Sequence, residues 1–300
     1  MNKPVFGIPV AFTSEEKINV QATLDYCNYL KENGASRLMT TAGTSTFNLL
    51  TKDEIHDLNK RISDLNCETF LGLPEMSLYH TLEMVEKCNQ DYSDNSKLLL
   101  LFPERFYSYN QVVEFFTTIA DKSRFPIYIH GKTMRKASGG NYDYCQKVIN
   151  ALSIHPNIRG MKEEHPSLNK SFNEITKINS RFETIVAGGS MRRFMFLNSA
   201  GASTFLTGVG NILPQIELDF CNSIDNNDLL NAKNLIDKYE TPLFETFMGL
   251  GWHRGLRNAL HLLGFDYNYA RKPFCVDLKK EELKQVQACV NNIMDYKNEK

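Results

Sequence analysis

Residues 157–166 read Asn-Ile-Arg-Gly-Met-Lys-Glu-Glu-His-Pro, an apolar run that passes directly into a charged segment. Ile158 and Met161 predict a short buried strand, and the polar run closed by Pro166 predicts a loop. Lys162 then lies at the carboxyl end of the strand. A lysine there is unusual, because an unpaired ammonium group is costly to bury and surface lysines normally lie on helices and loops.

Two interpretations of Lys162 are open at this point. Burial in an apolar pocket disfavours the charged form of an amine, and a neutral amine is a nucleophile for a carbonyl substrate. Alternatively, Lys162 only ends the strand and pairs with Glu163 or Glu164. Spacing alone favours this structural interpretation, because structural ion pairs occupy such positions as well.

The composition is that of an ordinary globular chain. Its 300 residues are 42% hydrophobic and 23% charged, which is enough for one large domain or two small ones. The net charge of −1, without a long basic run, excludes the electrostatic pattern of a nucleic-acid or membrane-surface protein. The longest apolar stretch, near residues 97–102, is far below the roughly 20 residues that a bilayer crossing needs. Since the N-terminus lacks a signal-peptide pattern, we expect a cytoplasmic protein.

Cysteine and histidine spacing gives no metal-binding pattern. The seven cysteines contain no CxxC pair, and the seven histidines contain no HExxH pair. In a reducing compartment the cysteines are most simply buried thiols. We therefore expect no bound metal.

Strand and helix patterns alternate along most of the chain. The predicted strands cover residues 5–12, 36–41, 68–73, 97–102, 126–130, 158–162, 182–187 and 202–207. A helix pattern follows each strand, and the second helix opens with a capping box formed by Thr51 and Glu54. A strand roughly every 25 to 30 residues is typical of a (β/α)8 barrel. A doubly wound open sheet is the main alternative, but eight units without a GxGxxG turn favour closure.

We therefore predict an α/β fold, a (β/α)8 TIM barrel over residues 1–224. Residues 225–300 are predicted to form a C-terminal helical extension packed on the barrel, with helices at 226–239, 241–263 and 279–294. In such barrels the active site lies at the carboxyl ends of the strands, where Lys162 ends strand six.

The ends of strands two and seven are rich in small residues. Strand two runs into Gly43, Thr44 and Ser45, whose backbone N–H groups and hydroxyls would hold a carboxylate, or which form only a tight turn. Strand seven ends at Gly188 and Gly189, which would let the backbone approach a ligand closely or merely turn the chain.

Strand five ends in Tyr128-Ile129-His130. Residues two apart on a strand face the same way, so Tyr128 and His130 are both expected to point into the barrel. His130 is then a candidate proton carrier near Lys162. The alternative is a hydrogen-bonded core histidine without a catalytic role.

Together these segments resemble the dihydrodipicolinate synthase / N-acetylneuraminate lyase family of class I aldolases and dehydratases, from residue 7 to about 294. Residues 160–163, Gly-Met-Lys-Glu, are similar to the family's Gly-Ile-Lys-Glu strand, whose lysine forms a Schiff base with pyruvate or another 2-oxo acid. Residues 41–54 are similar to its carboxylate-binding turn and following helix start. The spelling of 42–47 is nearer that of 5-dehydro-4-deoxyglucarate dehydratases. Residues 126–130 followed by Arg135 match the spacing of its strand five.

The chain also departs from the family pattern. His130 stands where the family has its proton-relay tyrosine, with Tyr128 two residues earlier. The family's Pro-Tyr-Tyr after strand four is Pro-Glu-Arg at 103–105, although Tyr107 is close by. Ser45 and Thr46 replace the second glycine and the glutamate of the turn. Dihydrodipicolinate synthesis itself is therefore not expected.

The resemblance implies a class I lyase acting on pyruvate or a 2-oxo (sugar) acid, with a covalent imine on Lys162 and no cofactor. His130 or Tyr128 would move protons, and Arg135 would meet a distal anionic group. A homo-oligomer, tetramer or dimer, is also implied. The alternative function is a non-catalytic or regulatory barrel that binds a 2-oxo acid without turnover. A barrel enzyme without a Schiff base would need a metal or cofactor signature, which the sequence does not contain.

Overall fold

The computed structural model describes residues 3–74, 76–101, 103, 108–131, 142–273 and 277–298, and for residues 142–145 only the backbone. Eight strands form one sheet in the order β1 to β8, and every neighbouring pair is parallel. The strands are β1 Phe6–Gly7, β2 Arg37–Thr40, β3 Glu68–Leu73, β4 Ser96–Leu101, β5 Ile127–His130, β6 Ile158–Glu163, β7 Glu183–Val186 and β8 Thr204–Phe205. The predicted order of eight parallel strands is confirmed.

Hydrogen bonds also join the first strand to the last. Val5 N donates to Phe205 O over 2.9 Å, and Thr207 N donates to Val5 O over 2.9 Å. These bonds form a parallel bridge between Val5 and Leu206. The residue just before β1 is therefore hydrogen-bonded to the end of β8, so the first and last strands of the sheet lie next to each other.

The helices of the described ranges alternate with the strands and then continue alone. They are α1 Val20–Glu32, α2 Lys52–Ser63, α3 Leu78–Asp91, α4 Tyr109–Lys122, α5 Tyr142–Leu152, α6 Leu168–Ile175, α7 Ser190–Leu197, α8 Pro214–Asp225, α9 Leu229–Leu235, α10 Thr241–Leu250, α11 Trp252–Leu262 and α12 Lys280–Met294. None of these helices combines the length and the apolar character needed to cross a membrane.

Several predicted boundaries were wrong, including that of the strand predicted at 202–207, of which only Thr204–Phe205 forms β8. The run at 5–12 yields only a two-residue β1, consistent with Pro9, which has no N–H to donate to a sheet. The predicted helix 241–263 is two helices, because Gly251 takes a φ of 89° and breaks the chain between α10 and α11. The predicted helix 226–239 begins only at Leu229, where the Asp228 side chain caps Asn231 N, and it continues through a π-helical turn at Ile236–Glu240.

Apolar side chains pack on both faces of the sheet. A smaller cluster packs on one face of the sheet and includes Val5, Met39, Phe70, Leu99, Tyr128 and Ile185. A larger cluster packs the strands against the helices and includes Ile127 and Ile129. Strand five thus alternates as predicted, with Tyr128 inside and its two isoleucine neighbours outside.

Charged side chains close the amino ends of the strands. Arg37 donates to Glu68 over 2.8 Å and to Glu183 over 2.5 Å, and Lys97 donates to Glu68 over 2.6 Å. The Tyr128 hydroxyl donates to Glu183 over 2.6 Å. Burial, together with the Glu183 charge, raises the pKa of Tyr128 well above its ordinary value. The charged side chains at this end of the sheet therefore pair with one another, and Lys162 lies at the opposite end.

Candidate active site

Lys162 lies near the carboxyl end of β6 and is 2% exposed. The register of β5 and β6 places His130 directly beside it, and Lys162 Nζ is 3.0 Å from His130 Nε2. Lys162 Nζ also contacts the Glu164 carboxylate in an ion pair. The structure therefore brings the predicted lysine and histidine together and adds a carboxylate to them.

Glycine at position 160 allows β6 to approach its neighbours. A Cβ on Gly160 would lie 2.3 Å from Glu183 O and 2.5 Å from the Tyr128 ring. Real Cβ atoms do not approach other atoms so closely, so only glycine fits here without displacing a strand. Lys162, two residues further on, takes its position from this close packing.

The two glutamates after Lys162 have different partners. Glu163 is 1% exposed at its side chain and pairs with Arg193 over 2.9 Å, and it also accepts a hydrogen bond from the Ser171 hydroxyl over 3.0 Å. Glu164 pairs with Lys162. Successive residues of a strand point to opposite faces, so Glu163 faces the helices while Glu164 faces Lys162. The open question of which glutamate pairs with the lysine is thus answered in favour of Glu164.

The turn after β2 is held by a hydrogen bond to Ile8, the residue that follows β1. Gly43–Ser45 forms a single 3₁₀ turn that ends at Thr46 with a φ of 50°. The buried Ser45 hydroxyl donates to Ile8 O over 2.5 Å, and Ser45 N donates within the turn to Ala42 O over 3.1 Å. Both Ser45 donors are thus engaged by the protein itself. Thr44 Oγ1 lies 3.1 Å from the position that a Cβ on Gly7 would take, so Thr44 packs over the end of β1.

A cavity of about 310 Å³ separates this turn from the C-terminal helices. Thr44 and Thr46 line one side, and Arg257 and Arg271 line another. Arg271 donates to both carboxylate oxygens of Glu54, over 2.7 and 2.8 Å. The C-terminal segment is therefore bound to the helix that follows the turn.

The turn after β7 requires unusual backbone angles. Gly188, Gly189 and Ser190 have φ values of 76°, 154° and 38°. Among the described residues, a Cβ on Gly188 would meet no atom within 4 Å, so these residues leave open space beside this glycine. The predicted close approach of a ligand to this backbone is sterically allowed.

Glu217 of α8 connects the ends of β7 and β8. Its Oε1 accepts hydrogen bonds from the Ser190 hydroxyl and from Gly208 N, both over 2.8 Å. Burial raises the pKa of Glu217 to about 7. Glu240 is also buried and accepts a hydrogen bond from Arg192 N over 2.9 Å. Burial, and then the charge of Glu217, raises the pKa of Glu240 to about 8. The sequence carries no motif that would have identified this pair.

Glu240→Gln is expected to weaken the pH dependence of stability between about pH 5 and 8. With its folded pKa near 8 and an ordinary value of 4.5, Glu240 keeps a proton in the folded protein that the unfolded chain releases over this range. Stability therefore falls as the pH rises through this window, by about 1.4 kcal/mol per unit of pKa difference at most. The amide does not titrate, so this part of the slope is lost, while Glu217 leaves a smaller slope of the same sign.

The measurement is urea unfolding at pH 5, 6.5 and 8 on the wild type and Glu240→Gln. Glu245→Gln, at an exposed position of α10, is the matched control and should keep the wild-type slope. Identical slopes in the wild type and Glu240→Gln would contradict the assignment.

One predicted site residue, Tyr128, has its hydroxyl at the amino ends of the strands, away from Lys162. Tyr128 points into the interior as predicted, but its hydroxyl binds Glu183 in the amino-end network. In the register of β5 and β6, Tyr128 lies beside Gly160, about 6.6 Å along the strands from the level of His130 and Lys162, and its role in moving protons at Lys162 stays a prediction. Arg135, like Tyr107, lies outside the described residues.

Within the described ranges, no group of three or more His, Cys, Asp or Glu side chains is arranged to hold a metal ion.

Eight parallel strands alternating with helices, with a buried lysine near the end of the sixth, define the general class as an α/β protein with its candidate site at the strand carboxyl ends. The model of the Dihydrodipicolinate synthetase family matches residues 106–293, which is more than half of the chain. The chain therefore belongs to this family, and the resemblance seen in its motifs is confirmed.

Curated relatives match nearly the whole chain at low identity. A 2-dehydro-3-deoxy-phosphogluconate/2-dehydro-3-deoxy-6-phosphogalactonate aldolase from Sulfurisphaera tokodaii is 24% identical, over 98% of this chain and 97% of the relative. A 4-hydroxy-tetrahydrodipicolinate synthase from Mycolicibacterium paratuberculosis is 20% identical, over 87% of this chain and 85% of the relative.

Solved structures of the same family share the fold. The dihydrodipicolinate synthase of Thermotoga maritima superposes with a TM-score of 0.82 at 18% identity, covering 98% of this chain and 99% of that one. An N-acetylneuraminate lyase from Mycoplasma synoviae gives a TM-score of 0.80 at 17% identity, covering 97% of each chain. At the level of the family, the chain groups with lyases.

Proposed function

We propose that the chain is a Schiff-base-forming class I lyase, an aldolase or dehydratase, acting on pyruvate or a 2-oxo (sugar) acid. The observation that carries this proposal is the buried Lys162 amine at the end of β6, within hydrogen-bonding distance of His130. Because the family consists of lyases, we propose that the Lys162 amine attacks the carbon of the 2-carbonyl group of the acid. The resulting protonated imine withdraws electrons and allows a bond at the neighbouring carbon to break or form.

Binding of the acid would use the turns after β2 and β7. Thr44 would hold the carboxylate, with the backbone at Gly43 and the hydroxyl oxygen of Ser45 close by. Ser45 already donates to Ile8 and Ala42, so its main contribution would be to fix the turn. The open space beside Gly188, together with Gly189, would accommodate the rest of the acid.

His130 would carry a proton to and from the carbon next to the imine. Its Nε2 is 3.0 Å from Lys162 Nζ, and an imidazole both gives and takes protons in general acid–base catalysis. His130 would thereby replace the tyrosine that the family uses at this position. Arg135 stays a proposed partner for a distal anionic group.

We also propose how the chain is divided into a barrel and an extension, from two sets of contacts. The bonds of Val5 with Phe205 and Thr207 support a closed (β/α)8 barrel over residues 1–224. The ion pair between Arg271 and Glu54 supports residues 225–300 as an extension packed on it. A homo-oligomer, tetramer or dimer, and a cytoplasmic location are proposed from the family resemblance and the sequence.

The second candidate is a non-catalytic barrel that binds a 2-oxo acid without turnover. The ion pair of Lys162 with Glu164 favours this alternative, because an amine engaged in an ion pair is not available as a nucleophile.

Borohydride trapping separates the two candidates. The protein is incubated with pyruvate or with longer 2-oxo acids, each with borohydride, and its intact mass is measured. A lyase gains, per chain, the mass of one acid less one oxygen atom, because imine formation releases water and borohydride then adds two hydrogens. The acid trapped fastest indicates the substrate class. Binding of these acids without any adduct would contradict the lyase and support the non-catalytic barrel.

A further inference from the structure

We infer that Glu164 is a catalytic acid–base residue that carries protons between the Lys162 nitrogen and the substrate carbonyl oxygen. This inference rests on the proposed Schiff-base function and assigns a new role within it. In this division, Glu164 serves the formation and hydrolysis of the imine, whereas His130 serves the carbon chemistry.

Geometry is the first support. Glu164 follows the last residue of β6 and contacts Lys162 Nζ directly. Residues two apart share a face of a strand, so Glu164 is on the same side as the lysine. The carboxylate that a proton carrier needs is therefore already at the nitrogen that gains and loses protons.

Exposure is the second support. The Glu164 side chain is 17% exposed, compared with 2% for Lys162 and 1% for Glu163. Glu163 is held by Arg193 and Ser171, so it is fixed as part of the structure. Glu164 combines contact with the amine and access to the open end of the strands, which a substrate oxygen must also reach.

The proton transfers balance without any further reactant. Glu164 first takes a proton from the Lys162 ammonium, and the free amine forms a bond to C2 of the acid. The C2–O electron pair moves to oxygen, which takes that proton from Glu164. Glu164 then takes a second nitrogen proton and passes it to the same oxygen, so that the C2–O bond breaks and water leaves. A protonated imine results, and Glu164 ends as the carboxylate it was at the start.

Glu164→Gln distinguishes proton transfer from simple ion pairing. The amide keeps the size of the side chain but does not carry protons. If Glu164 carries protons, the rate of imine formation falls, by about 100-fold or more. If Glu164 only holds the ammonium, its loss favours the neutral amine, and imine formation at neutral pH becomes faster.

The measurement is the rate of adduct formation from pH 5 to 9. Samples are quenched rapidly with borohydride at successive times, and the trapped fraction is read from the intact mass. Glu164→Asp should recover part of the rate and keep the acidic limb of the pH profile, which Glu164→Gln loses. Glu281→Gln is the matched control, because Glu281 pairs with Lys284 over 3.0 Å on the exposed surface of α12. Its rate should equal that of the wild type.

The outcomes separate the two levels of the proposal. An unchanged or faster rate in folded Glu164→Gln overturns the role of Glu164 and leaves the lyase intact. Absence of an adduct with every acid on the wild type overturns the lyase, and the role of Glu164 with it. Thermal unfolding of each variant verifies that the comparison is made on folded protein.

Discussion

Lys162→Ala is expected to eliminate the borohydride-trapped adduct and to lower turnover by at least about a thousandfold. Without the amine no imine forms, and the carbon next to the carbonyl loses its electron acceptor, so every later step is lost with it. The effect falls on turnover rather than on binding alone, since the carboxylate would still bind at the turn after β2. The measurements are intact mass after borohydride treatment and steady-state turnover of the best-trapped acid.

Lys97→Ala is the matched control for this experiment. Lys97 is another lysine within the sheet, but it is only partly buried and pairs with Glu68 at the amino ends of the strands. It should form the adduct as the wild type does, after its fold has been verified by thermal unfolding. An adduct of equal yield on Lys162→Ala would mean that another lysine reacts, and would exclude Lys162 as the nucleophile.

His130→Asn is expected to lower turnover by about 10²- to 10⁴-fold while the imine still forms. The asparagine side chain keeps a polar group near Lys162 but does not exchange protons at neutral pH. Trapping with borohydride reports only imine formation, so it should stay within a few-fold of the wild type. The combination of a retained adduct and lost turnover is the expected signature of a proton carrier for carbon.

His155→Asn provides the corresponding control, because His155 pairs with Asp121 over 3.1 Å, in the loop before β6. Its turnover should match that of the wild type. Wild-type turnover in folded His130→Asn would reduce His130 to a structural hydrogen-bonding group, the alternative that the sequence left open.

The sequence predicted the sheet well because buried parallel strands are continuous apolar runs bounded by turns. Residues 68–73 were predicted at the bounds that the structure has for β3. The C-terminal helices were predicted less well, because apolar periodicity continues past a single glycine. Only the backbone angle at Gly251 breaks the helix.

Two features of the sequence predicted the candidate site: where each strand ends, and the alternation of side chains between the two faces of a strand. The register of β5 and β6 brings His130 to Lys162, as the strand assignment implied. Alternation placed Tyr128 on the correct face of β5, but it does not specify how far along the strand the hydroxyl lies, so the contact with Glu183 was not predicted. Glu217 and Glu240 were missed, since their burial depends on how α8 and the π-helical turn pack, which no local pattern records.

The hydrogen bonds of Val5 with Phe205 and Thr207 have a consequence for synthesis on the ribosome. One edge of β1 finds β2 after some thirty residues, but its other edge has no partner until about two hundred residues have been made. At about 5 to 20 residues per second, this edge stays open for roughly 10 to 40 seconds. An open parallel edge is a template for pairing with other chains. The nascent chain therefore passes through an interval in which its earliest strand needs protection from its neighbours.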